Sequence, residues 1–130
     1  MAVDPSTYLA EVELALIVSQ IVARYEVVRS WYNTDDGYIR VRIALTNGDF
    51  LESTEYFVVD QGHVQIMDYR HQWMDGTRTS LRRRWDCTPH HPEVDGFPHH
   101  VHVGSEGNVV TGRVLGVIDL LHLIEKDMSV

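Results

Sequence analysis

Five of the eight histidines in the chain fall within thirteen residues: His90, His91, His99, His100 and His102. Arg84 and Asp86 stand just before them, and Glu93 and Asp95 are interspersed. Imidazole titrates near neutral pH, which makes histidine the usual general acid, general base and metal ligand. Pro89, Pro92, Gly96 and Pro98 exclude regular structure from about Cys87 to Pro98, and proline-stiffened loops of this kind often display a site.

Two chemistries fit this composition. In the first, one neutral and one protonated imidazole deprotonate a ribose 2′-hydroxyl and protonate the departing 5′-oxygen of RNA. Arg84 or Arg70 would stabilise the charge growing on the phosphoryl oxygens, and Asp86 would orient an imidazole. The catalytic set expected on this reading is Arg70, Arg84, Asp86, His90, His91, His99, His100 and His102, with no cofactor and no metal. At least three of the five histidines should then line one pocket, together with Asp86 or an arginine. The second chemistry is a metal site. His100 and His102 on one strand face would chelate together, with His90 or His91 and a carboxylate completing a tetrahedron. Adjacent loop histidines point apart, however, and the helical spacing His-x-x-x-His is absent. A third alternative is structural, a stiff loop whose imidazoles are buried and hydrogen-bonded.

The other chemically suggestive residues read more plainly. His63 falls in a hairpin turn and His122 on the last helix, where surface or core roles suffice. Trp31, Trp73 and Trp85 lie at strand ends and read as core or rim. Cys87, the only cysteine, has no base beside it in sequence and is not read as a nucleophile. A single cysteine also excludes an internal disulfide framework and a thiolate-based zinc site, and fits a reducing compartment.

The elements that must position the loop follow from pattern. Asp4-Pro5 is an N-cap followed by proline at the first helical position. Leu9, Val12 and Leu16 then form a stripe that Leu14, Ile17, Val18 and Ile21 widen, which predicts a deeply packed helix handing over to a strand near Ile21 to Ala23. Strands are expected over Tyr25 to Tyr32, Tyr38 to Leu45, Phe50 to Val59, Val64 to Trp73 and Arg78 to Trp85. In the second, Ile39, Val41, Ile43 and Leu45 alternate strictly with polar or small residues. Asn47-Gly48, Gln61-Gly62 and Asp75-Gly76 are the turns. His99 to Val103 reads as a further short strand. A last helix is expected from an N-cap at Thr111, carrying Val114, Leu115, Val117, Ile118, Leu121 and Ile124.

Two-residue turns would fix the register. They pair Leu45 with Phe50, Arg40 with Glu55, Glu55 with Asp68, Ser53 with Arg70 and Asp68 with Arg83. One face would then carry the row Arg40, Glu55, Asp68, Arg83, either a solvated face knitted by ion pairs or the floor of an anion-binding cleft. Alternation places Arg82 and Arg84 on one face and Arg83 on the other.

The quoted stretches together resemble a known family. Tyr69-Arg70-His71-Gln72-Trp73, Arg84-Trp85-Asp86, Pro89-His90-His91-Pro92-Glu93 and Phe97-Pro98-His99-His100-Val101-His102 are similar to the TumE-type toxins of prokaryotic toxin–antitoxin modules. That family follows a pattern of Arg-aromatic-Asp-Asn, His-His-Pro-Glu and Phe-Pro-His-His-x-His. The resemblance covers roughly Tyr38 to the end and implies a toxin paired with a cognate antitoxin protein. One departure is visible: Cys87 stands where the family pattern has asparagine.

The expectations are therefore these. The 130 residues, 44% of them hydrophobic, form a single domain. The fold is α+β, an antiparallel meander of about five or six strands with N- and C-terminal helices packed on one face. The function is that of a prokaryotic toxin acting as a metal-independent nuclease through its His-rich loop; the alternative is a non-enzymatic protein- or metal-binding module of the same fold. The net charge of −8 excludes a protein that coats nucleic acid with a broad basic surface, but not one with a local basic patch such as Arg78 to Arg84. The expected partners are an antitoxin and an RNA substrate, with homo-oligomerisation left open. No membrane span or export signal is visible, so a cytoplasmic location is expected.

Overall fold

In the computed structural model the described residues are 3–89, 91, 93–94 and 96–128, and the expectations that fall on His90, Pro92 and Asp95 lie outside them. The element order is α1 (Pro5–Val18), β1 (Val22–Tyr32), β2 (Asp36–Leu45), β3 (Phe50–Asp60), β4 (His63–Met74), β5 (Leu81–Asp86), β6 (His100–Val103), β7 (Val109–Thr111) and α2 (Val117–Met128). The strands form one seven-stranded antiparallel sheet in chain order, an uninterrupted meander. The α+β reading holds with more strands than expected, because the short β7 carries no strong strand signal.

Asp4 caps α1 as the sequence predicts, its carboxylate accepting the Thr7 N–H at 2.8 Å with Pro5 in the first turn. The buried stripe is narrower than expected. Tyr8, Val12 and Leu16 are buried, whereas Leu14, Ile17 and Val18 are exposed. The helix lies on one face of the sheet and ends at Val18, so only the side toward the strands is covered. Tyr8 packs edge-on against Phe57, with ring centroids 4.5 Å apart.

The register differs from the sequence expectation, for three local reasons. At the first hairpin Leu45 N–H donates to Asp49 O, and Gly48 adopts φ +90. The loop therefore has three residues, with glycine in the left-handed position, not two. This moves Arg40 opposite Thr54 instead of Glu55. At the next hairpin Gln61 and Gly62 both have positive φ, as a two-residue turn of this type demands, and Asp60 faces His63. A bulge at Met67 then shifts the ladder, so Glu55 faces Tyr69 and Ser53 faces His71. Finally, the β4–β5 connection is a longer loop in which the Asp75 carboxylate accepts from Thr79 and Ser80 N–H. Arg83 consequently faces Trp73, not Asp68.

A one-residue shift turns side chains to the other face of a sheet. The row Arg40, Glu55, Asp68, Arg83 does not form, and Glu55 is fully buried beneath α2. Arg83 instead pairs with Asp127 of α2, Nη1 to Oδ2 at 2.7 Å. Thr111 is not an N-cap; it ends β7, six residues before α2 begins. The orphan N–H of Val117 at the start of that helix is taken by Glu55 Oε1 at 2.7 Å, where the helix dipole also favours a negative charge.

The sheet thus has two unlike faces. One is covered by both helices and holds Ile39, Val41, Ile43, Leu51, Phe57, Trp73 and Trp85 in the core. The opposite face has no helix over it and carries the even-numbered residues of β2, β3 and β6, those of β4 from Asp68 onward, and Arg84 and Asp86 of β5. Among the described residues, no helix is long and apolar enough to cross a membrane.

Candidate active site

The β5–β6 ladder assembles the site. It sets Arg84 opposite His102 and Asp86 opposite His100, all four on the open face, because alternate strand residues share a face. The ring centroids of His100 and His102 are 4.9 Å apart. His91 joins them from the preceding loop, at 5.3 Å from His100 and 5.8 Å from His102. It is held at φ +59, an uncommon backbone region for a non-glycine residue. Its Nδ1 lies 3.2 Å from Glu93 Oε1.

Each strand histidine is fixed by a backbone carbonyl. His100 Nδ1 is 2.9 Å from Pro98 O, and His102 Nδ1 is 2.8 Å from Glu106 O. A carbonyl only accepts, so both Nδ1 atoms must carry hydrogen. On His100 the other nitrogen, Nε2, lies 2.8 Å from Asp86 Oδ1. His100 thus has an oxygen within hydrogen-bond distance of each ring nitrogen. His102 is satisfied with a lone pair on Nε2.

Asp86, His100 and His102 are each nearly completely buried. Arg84 completes the cluster. Its Nε reaches Asp86 Oδ2 at 3.2 Å, and its two terminal nitrogens fork onto the Glu106 carboxylate. Glu106 is itself exposed, so it forms the outer cover of a buried polar site. The Arg84 hydrogen bonds hold its carboxyl below the usual range.

Of the other residues singled out in the sequence, Arg70 lies on the same face, opposite Asp86, and hydrogen-bonds Gln72. His99 does not join the cluster. It turns to the helix-covered side, where its Nδ1 is 2.9 Å from the Tyr69 hydroxyl and the two rings stack. Cys87 contacts Asp68 Oδ1 at 3.2 Å, and burial pushes its thiol up to about 11, which agrees with reading it as no nucleophile. Glu106 was missed. The run Gly104 to Asn108 is a turn signal, and reading it would have folded Glu106 back toward Arg84 and His102.

Asp86, His100 and His102 also offer ligand atoms that lie within 4.8 Å of one another. Their donor types suit a small divalent cation, and carbonyl-anchored imidazoles are common among metal ligands.

A protein-family comparison matches the Toxin TumE family over residues 10–129, nearly the whole chain and all of this site. The chain belongs to the TumE toxin family. It is a toxin, and the buried histidine cluster is the most chemically distinctive part of its open face. Neither a curated protein nor a solved structure gives a match.

Proposed function

We propose that this TumE toxin, held in check by a cognate antitoxin, cleaves RNA by metal-independent acid–base catalysis at Asp86, His100 and His102. The carrying observation is the contrast in hydrogen bonding: among the described residues His100 has acceptors on both ring nitrogens, and His102 has one on Nδ1 alone. His102 Nε2 takes the proton of a ribose 2′-hydroxyl. The O2′–P bond forms, the P–O5′ bond breaks, and O5′ receives the Nε2 proton of His100, which exchanges its hydrogen bond to Asp86 Oδ1 for one to the leaving oxygen while Nδ1–H stays on Pro98 O. Arg84 stabilises the phosphoryl oxygens once the substrate phosphate replaces Glu106 on its guanidinium. Products are a 2′,3′-cyclic phosphate and a 5′-hydroxyl.

The test is cleavage of an RNA oligonucleotide against one carrying a single 2′-deoxy residue at the cut site. Cleavage should stop at the deoxy position, and His102→Ala should slow cleavage of the parent by roughly 10²–10⁴-fold. Cutting at the deoxy position rejects this chemistry.

The convergence of the Asp86, His100 and His102 ligand atoms favours one second reading, a divalent cation held by the same three side chains. Loss of activity in chelator, with recovery on adding zinc or manganese, would select it.

A further inference from the structure

The open face of the sheet does not end at the histidines. The next cross-strand row beyond Arg70 and Thr54 holds Trp31, Tyr38 and Tyr56, paired in register across β1, β2 and β3. Trp31 and Tyr38 stack, with centroids 5.9 Å apart and planes 16° from parallel; Tyr56 lies 6.1 Å from Trp31. The helices cover the opposite face, so no core element needs these rings here.

Between this aromatic row and the histidine cluster lies a depression of about 360 Å³, lined by Tyr38, Arg40, Glu52, Thr54, Arg70 and Gln72. Its charge is unlike that of the chain. Glu52 is shared by Arg40 and Arg42 at 3.3 and 2.8 Å, and Arg70 lines the other side, so two lining arginines face one lining carboxylate in a protein of net charge −8. Glu26 opposite Arg42 and Asp68 opposite Tyr56 lie at the margins. Aromatic faces beside a cationic trough are what a single nucleic-acid strand needs. Bases stack on the rings and the backbone follows the arginines. Four strand spacings separate Tyr38 from His100, about 19 Å, which a few nucleotides can bridge.

We infer that the open sheet face binds single-stranded RNA, with Trp31 and Tyr38 as a base-stacking platform and Arg40 and Arg70 along the backbone path to the histidine site. This deepens the acid–base reading and rests on it for the choice of RNA. Duplex is disfavoured because its bases are already stacked on each other.

The experiment separates the platform from the chemistry. A fluorescein-labelled single strand of about twelve nucleotides is titrated by anisotropy into His102→Ala toxin, with and without Trp31→Ala and Tyr38→Ala. Affinity should fall at least about fivefold in the aromatic variants, since each lost stack removes a sequence-tolerant contact. Trp31→Phe, which keeps a stacking face, should restore most of it, and circular dichroism should be unchanged throughout. In chains that retain His102, cleavage of a dinucleotide too short to reach the platform should be unaffected. Equal affinity of parent and aromatic variants for the strand overturns the inference, as does loss of antitoxin binding with RNA binding intact. Failure of the parent to cleave the dinucleotide counts against the acid–base reading, and anisotropy alone then decides the platform.

Discussion

His100 Nε2 lies 2.8 Å from Asp86 Oδ1 across the β5–β6 ladder, and both side chains are nearly excluded from water. A charged hydrogen bond in such surroundings is expensive to break from one side, because the remaining partner is left buried and unpaired. Asp86→Asn keeps the shape but removes the charge that balances an imidazolium. Cleavage should fall by at least about tenfold, and the thermal midpoint should fall too, because Arg84 and Thr88 bond different oxygens of Asp86 and the amide keeps only one of them. Single-turnover rates on RNA, read beside the thermal midpoint, check this. A variant as active as the parent removes Asp86 from the mechanism.

Glu106 occupies the Arg84 fork that a phosphate would need. Glu106→Ala keeps the backbone carbonyl that anchors His102 Nδ1 and removes only the competing carboxylate. The toxin should then bind inorganic phosphate or a mononucleotide several-fold more tightly, measured by calorimetry at fixed salt. Weaker binding would mean that Glu106 orders Arg84 and does not compete for it.

The three consecutive arginines should separate. Arg82 pairs with Asp49, whose carboxylate is buried and also accepts from Trp73 Nε1. Arg82→Ala should destabilise by about 1–2 kcal/mol, since it strips a cation from a buried acid while being half exposed itself. Arg83→Ala breaks only an exposed pair with Asp127 and should cost about 0–1 kcal/mol. Arg84→Ala should lower turnover and also destabilise, since it strips a cation from the buried Asp86. Urea denaturation and cleavage rates on the three variants distinguish the roles, and uniform behaviour would contradict the face assignments.

These assignments also show where sequence reasoning reached and where it stopped. The Asp4 cap, the alternation in β2 and the Gln61-Gly62 turn were legible because each is a local signal with one physical solution. Asn47-Gly48 marked the right hairpin but not its length, since glycine in a left-handed position serves two- and three-residue loops alike. The Met67 bulge has no sequence mark at all, yet with the long Asp75 loop it decides which residues oppose Arg83. The β5–β6 pairing that unites Asp86 with His100 is made across a long proline-rich connection that offers no short-turn signal to fix its register, so chemistry-bearing residue types were readable and their partners were not. His99 and His100 separate onto opposite faces by simple alternation once β6 is recognised. Glu55 was expected on a solvated face or on the floor of an anion-binding cleft, whereas it is a buried anchor for α2.

His71 predicts an acid sensitivity. It is completely buried, hydrogen-bonds Leu115 O through Nε2 at 2.6 Å, and burial lowers its pKa to about 4. Its folded value lies below its unfolded one, so protonation favours the unfolded chain. Stability from this group is full above about pH 6.5 and is lost as pH falls toward 4, by about 3 kcal/mol in all. Glu55, raised by burial, opposes part of that loss, because its protonation favours the folded state. Urea midpoints between pH 7 and 4 should fall in the parent and much less in His71→Gln. Equal slopes would place the sensitivity elsewhere.

The most direct test of the central claim is the chemical identity of the ends left on RNA by the toxin in excess chelator. The acid–base account predicts undiminished cleavage that leaves a 2′,3′-cyclic phosphate and a 5′-hydroxyl, because the substrate's own 2′-oxygen is the nucleophile. Ends bearing a 5′-phosphate and a 3′-hydroxyl, formed only when a divalent metal is restored, would contradict it.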